Sequence, residues 1–415
     1  MLADTPGYLL PELWRYIFAL LSSKTRSIIC QVSNDWHNMA LDVSKHLSSL
    51  PQLYSGPYDD MHKEIYKSGD YHLIVRLKVE FMDMYTICHA GNIDVVRLMI
   101  SRGVAGWDTG LRKACARGYI DIAKLMISHG GTCWNDGLYL ACYGGNHQLV
   151  DIMISHGAND WWRGLNGACE NGNYQLAELM ISRGANNWDI GLRGACQSGN
   201  LKLVDLMISY GITEWNWGLS GACCGGNRQL AELIISRGAD DYNSGLVMAC
   251  NGGHLELVEL MINLGANSWD GGLRMACLHG HINIAKLMIS HGANNQNYSL
   301  AASCAHNRLE LIELLISHGA NGWNNGLYNA CRNNHTKVAK MMISHGADSW
   351  NGGLISACAG GSYQAAELMI SHGANTWNDG LSKACKHNYI KLVELMISHG
   401  ATHCDHCNMH KHKKI

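Results

Sequence analysis

From about residue 85 onward, apolar and polar positions follow a pattern that recurs every 27 residues. In the stretch 164–191, GLNGACENGNYQLAELMISRGANNWDIG, Leu165, Ala168 and Cys169 fall at i, i+3 and i+4, one face of a short helix. Asn171-Gly172 ends it. Leu176, Ala177, Met180 and Ile181 then mark the buried side of a second helix, which stops at Gly184. The position three after each repeated cysteine is Gly in nine of twelve units and Asn in three (Asn307, Asn334, Asn388), the two residue types that best accept a left-handed helix cap. The glycine ending the second helix recurs in every unit, from Gly103 to Gly400. The stretch Asn-x-Trp-Asn-x-Gly-Leu is assigned to the loop between units. The predicted class is all-α, a solenoid of stacked helix-turn-helix repeats.

The pattern is anchored by Cys88, Cys115, Cys142, Cys169, Cys196, Cys223, Cys250, Cys277, Cys304, Cys331, Cys358 and Cys385, spaced without a slip. A fixed period in this range marks units that each contact only their neighbours. Stacked helices place equivalent positions roughly 8–10 Å apart. That exceeds both the ~7 Å limit for a disulfide and the reach of one shared zinc. The cysteines therefore read as small buried fillers, with a metal or redox ladder as the alternative. Met at Cys+11 in ten units reads as core.

Helix, tight turn, longer helix, Gly-Ala and loop resemble the ankyrin repeat over residues 85–402. Leu165-x-x-Ala168-Cys169-x-x-Gly172 and Leu179-Met180-Ile181-x-x-Gly184-Ala185 are similar to that family's motifs. The period is six residues shorter than the family's 33, and the deletion falls where ankyrin repeats carry a β-hairpin finger. Little or no β structure is therefore expected. Short Trp-Asn-x-Gly-Leu repeats of this kind resemble those of large DNA viruses that infect amoebae. Residues 61–84, with Ile65-Tyr66-Lys67-Ser68-Gly69, resemble a degenerate N-capping repeat.

Other residues recur as well. Trp occupies its place in nine of eleven units, with Tyr242 and Gln296 in the others. It packs the neighbouring loop in place of the lost hairpin, or else forms an aromatic stripe for a partner. His precedes the capping glycine in seven units, among them His129, His291 and His345, where it suits a helix C-terminus. Positions −3, −2, +1 and +2 around each cysteine vary freely. In the ankyrin family this surface lines the binding groove. The resemblance therefore implies target binding by Arg112, Tyr139, Tyr143, Arg193, Arg274, Tyr328 and Arg332, Tyr and Arg being the usual interface anchors. Drift on a solvated face is the alternative.

Residues 8–50 break the pattern. Leu10-Pro11, Glu12-Leu13, Ile17, Leu21, Val32 and Trp36 resemble an F-box, with the family's spacing from Ile17 onward. One residue is missing between Pro11 and Glu12, and Ser22 and Thr25-Arg26 replace the usual Pro and Asp-Leu. The resemblance implies that Leu10, Pro11, Ile17, Leu21, Val32 and Trp36 dock on a Skp-type adaptor of a cullin ubiquitin ligase. A helical cap for the solenoid is the alternative. Residues 51–60 read as a linker. In the tail, 403–415, Cys404-x2-Cys407 with His403, His410 and His412 has zinc-ligand types; a polar, disordered end is the competing reading.

Composition narrows the function. Charged residues are 16% of the chain and its net charge is −2, which gives no bulk attraction to nucleic acid or anionic membrane. No signal peptide is recognised in MLADTPGYLLPELW, and no segment has roughly 18 unbroken apolar residues. The seventeen cysteines suit a reducing compartment, so a cytoplasmic monomer is expected (host cytoplasm if viral). No nucleophile–base pair, phosphate loop or catalytic carboxylate pair emerges. A binding protein rather than an enzyme is expected, with no cofactor and no metal. Two functions remain open: a substrate adaptor of a ubiquitin ligase, or a ligase-independent scaffold that sequesters a host or viral protein.

Overall fold

A computed structural model describes residues 84–404 apart from 102 and 388. The F-box-like segment, the linker, all but the last residue of the degenerate repeat, and the tail beyond Cys404 lie outside the described residues. Among the described residues there are 24 helices and no strand. They fall into two compact blocks, three helix pairs within 84–160 and nine within 161–404. Both blocks are helical solenoids of one design.

One repeat explains the rest. Its first helix is Trp188–Ser198 and its second Leu201–Ser209. Leu192, Ala195, Cys196, Leu203 and Met207 are fully buried and Val204 nearly so. Gly199 (φ 72°) ends the first helix: its amide donates to the Cys196 carbonyl and the Asn200 amide to that of Ala195. This paired arrangement satisfies carbonyls that a helix end otherwise leaves open. The same position is left-handed at Asn307 (φ 56°) and Asn334 (φ 58°), as expected for the units lacking glycine.

Repeats interlock through three residue types. A Cβ on Gly326 would lie 2.6 Å from Met342 Sδ and 3.1 Å from Cys304 Sγ of the preceding repeat. The glycine therefore makes room for a sulfur contact of 3.7 Å between Cys304 and Met342. Where Ser299 replaces the glycine, Leu315 replaces the methionine. The cysteines are core. Burial pushes the thiols of Cys115, Cys196 and Cys358 up to about 12, and no disulfide joins cysteines among the described residues.

The tryptophans depart from expectation. They do not sit in the loop; they begin the first helix, as in Trp188–Ser198 and Trp323–Arg332. The residue before the ring becomes the helix cap. Asn187 Oδ1 accepts from the Ile190 amide and Asp241 Oδ1 from that of Ser244. Each Trp ring covers the residue preceding the glycine that ends its own repeat. Trp188 stacks on Tyr210 (4.3 Å between ring centres), Trp269 on His291 (4.7 Å) and Trp323 on His345 (5.0 Å). Arg237 lies over Trp215 at 5.9 Å. The histidines also close the helix end, His129 Nδ1 lying 2.9 Å from the Leu125 carbonyl and His318 Nδ1 2.8 Å from that of Leu314.

Candidate target-binding face

Within 161–404 the first helices of successive repeats pack directly on one another, while the second helices touch far less. The first-helix side is thus the tight side of the stack. Tightness is greatest between Trp188–Ser198 and Trp215–Gly225. There Gly194 and Gly221 occupy the −2 position and are themselves buried, a Cβ on Gly221 running into the Arg193 carbonyl.

A polar ladder fixes the edge of this side. The residue after Trp is Asn or Asp in ten of eleven repeats. In nine of these its side-chain oxygen accepts two backbone amides from the next loop, 24 and 25 residues on, and Asn351 accepts one, from Asn375. Asn297 takes Asn321 (2.7 Å) and Gly322 (2.8 Å); Asn324 takes Asp348 and Ser349 (3.0 Å each). Asp270 does the same with Asn294 and Asn295. The Thr132 amide, with help from Cys133, holds the Asp108 carboxyl below its usual range. Where an aspartate stands in the next loop, the ladder residue is Asn, and its amide donates to the carboxylate: Asn216 to Asp240 (3.2 Å) and Asn324 to Asp348 (3.0 Å). The ladder's Asn/Asp signal is visible once the repeats are superposed on their cysteines.

The variable positions are paired as well. Position −3 of one repeat meets position −6 of the next. Arg112 bridges Asp136 at 3.2 Å, Arg193 lies over the Trp217 ring at 6.0 Å, and Val247 fills the space beside Gly271. The Tyr328 ring occupies the space beside Gly352, and its hydroxyl donates to Ser349 Oγ at 2.5 Å. Three predicted site residues, Arg112, Arg193 and Tyr328, are therefore joints between repeats that still show a face to solvent. In the first block Tyr143 is 47% exposed and its ring centre lies 6.2 Å from that of half-buried Tyr139. Arg274 is half-buried and Arg332 exposed; neither guanidinium has a partner among the described residues. The other predicted residues, Leu10, Pro11, Ile17, Leu21, Val32 and Trp36, lie outside the described residues.

A repeat of two antiparallel helices, capped by Gly-Ala and stacked through its first helices, is the architecture that family comparison recognises. The family model described as Ankyrin repeats (3 copies) matches residues 219–299, 273–352 and 299–379. Residues 219–379 carry ankyrin repeats. The ankyrin repeat domain of human ASB11 is similar at 19% identity, over 44% of this chain and 98% of its own, with a TM-score of 0.34. The maize pentatricopeptide repeat protein PPR10 is similar at 15% identity, over 81% of this chain and 62% of its own, with a TM-score of 0.32. No curated protein matches the chain. Ankyrin repeats are a protein–protein interaction module, and no described helix is long and apolar enough to cross a membrane.

Proposed function

We propose that this chain is a cytoplasmic adaptor. Its ankyrin repeats hold a target protein on the first-helix face, and its N-terminal segment engages a Skp-type adaptor of a cullin ubiquitin ligase. The observation that carries the binding half is the division of labour along each first helix. Leu, Ala, Cys and the Asn/Asp ladder build the stack, while positions −3, −2, +1 and +2 change from repeat to repeat. Arg112, Tyr139, Tyr143, Arg193, Arg274, Tyr328 and Arg332 are the proposed contacts. The ligase half is supported by the F-box-like pattern of Leu10, Pro11, Ile17, Leu21, Val32 and Trp36. The mechanism is proximity: one chain holding target and ligase raises the effective concentration of target lysines at the ligase.

The test is a pull-down from lysate with the intact chain and a Leu10→Ala/Pro11→Ala/Trp36→Ala variant. Skp and cullin recovered by the intact chain alone support the adaptor. Their absence from both baits removes the ligase half and leaves a scaffold that sequesters its target through the same face. That second reading needs only the ankyrin repeats, which residues 219–379 carry.

A further inference from the structure

The repeat Gln296–Ala305 differs from its neighbours on the first-helix face. Three of its four variable positions are Ala301, Ala302 and Ala305, the fourth being His306, so the row of side chains drops to a floor of methyl groups beside one imidazole. On one side stand Arg274 and Leu278, on the other Tyr328 and Arg332. Tyr298, 58% exposed, forms the lip. Arg274 breaks the joint rule. The aromatic at the −6 position of the next repeat is Tyr298, yet it makes no ring contact with the guanidinium. The notch is thus flanked by two arginines without counter-ions. From residue 244 to residue 360, first-helix positions −6, −3, −2, +1 and +2 carry no Asp or Glu; the one carboxylate on these helices is Asp270 of the ladder, which accepts the Asn294 and Asn295 amides. Their ionisable groups are Arg274, His279, His306 and Arg332, with Tyr298 and Tyr328. The glutamates of these repeats (Glu256, Glu259, Glu310, Glu313) lie on the second helices.

Resting on the reading that the first-helix face binds the target, we propose that this notch takes a protein segment bearing one bulky apolar side chain flanked by carboxylates. The apolar group covers Ala301, Ala302 and Ala305, and the carboxylates pair with Arg274 and Arg332 in the planar two-bond geometry that guanidinium favours. Charge complementarity selects the occupant: two arginines without ion pairs beside an apolar floor fit an acidic amphipathic segment. A nucleic acid is disfavoured because the floor offers methyl groups rather than stacking rings.

The test uses the full chain as bait for a random-peptide display library. Recovered peptides are expected to carry Asp or Glu on both sides of a Leu, Ile, Phe or Trp. Arg274→Ala and Arg332→Ala should each weaken them about fivefold to tenfold at low salt, and by less at high salt, where screening weakens the pairing in the native chain as well. The double charge reversal Arg274→Glu/Arg332→Glu should select Lys- and Arg-bearing peptides instead, which also shows that the variant is folded. Peptides without acidic enrichment, or unaffected by either arginine but lost on Arg112→Ala, would move the site elsewhere on the face and overturn this proposal alone. No peptide competing at any first-helix residue would count against both readings. Tighter capture of a single-stranded RNA mixture than of any peptide would replace the protein occupant by nucleic acid.

Discussion

Asn324→Asp sets a carboxylate against a carboxylate in the ladder. In the native protein Asn324 Oδ1 accepts the Asp348 and Ser349 amides at 3.0 Å each, and its Nδ2 donates to Asp348 Oδ1 at 3.0 Å. The substitution keeps both backbone bonds and removes the third. Losing that bond costs about 1 kcal/mol. Two unit charges about 4 Å apart add about 1 kcal/mol in water and about 4 kcal/mol at an effective dielectric of 20. Asp348 is exposed and Asn324 only half-buried, so the low value applies. The sum is about 2 kcal/mol, or about thirtyfold in the local opening equilibrium. Solenoids open piecewise, so the assay is hydrogen exchange of the amides between 323 and 349 rather than a global melt. Exchange should quicken about thirtyfold at low salt and less in ~1 M salt, where the Debye length is about 3 Å. Asn324→Asp/Asp348→Asn should restore protection to within about 0.5 kcal/mol, because carboxylate facing asparagine is the arrangement of Asp270 and Asn294. An unchanged rate in the single variant, or no recovery in the double, would refute the charge rule.

Three further outcomes are expected. Gly326→Ser should destabilise its repeat by about 1–3 kcal/mol through crowding at Met342, and adding Met342→Leu should recover most of it by copying the Ser299/Leu315 pair, read by the same exchange measurement. Maleimide labelling followed by peptide mapping should find part-exposed Cys224 modified well before Cys196, Cys250 or Cys358, whose thiols burial raises to about 12; equal rates would show that the ladder is open to solvent. Burial lowers the pKa of both His279 and His335 from 6.5, aided at His279 by His281, His306 and Arg308 and at His335 by His306. In each, the folded value lies below the unfolded one. Stability is therefore full above about 6.5 and is lost as pH falls through that value toward the folded pKa. Repeats 269–336 should lose protection between about pH 7 and about pH 5, and His335→Gln should flatten the dependence; equal protection at both pH values would contradict the shifts.

The parts of the fold that depend on residues a few positions apart are legible in the chain itself. Leu165, Ala168 and Cys169 define a helix face, Gly184 its partner's end, and Asn307 and Asn334 the left-handed caps. What escapes such a reading depends on atoms a whole repeat apart. Trp188 looks like a loop residue because Asn and Asp surround it, and local propensity cannot see that Asp189 spends its carboxylate on the Thr213 and Glu214 amides. The variable positions show where specificity could reside, yet free variation conceals a constraint. Arg193 and Tyr328 are chosen partly for Trp217 and Gly352. Arg274 and Arg332 separate from them only once each side chain's neighbours in the next repeat are traced.

The joint between positions −3 and −6 bears on how such a chain can change its length in inheritance. Every interlock spans one period, so loss of a whole repeat leaves the ladder geometry intact. Deleting residues 323–349 would bring Ala301 beside Gly352, a harmless meeting of two small residues. Deleting residues 350–376 would instead bring Tyr328 against Asp379, whose Cβ stands where the ring now lies beside Gly352. Recombination between repeats is therefore in register everywhere but tolerated only where the new neighbours match in size, and the lineage of the array is restricted by shape rather than by spacing.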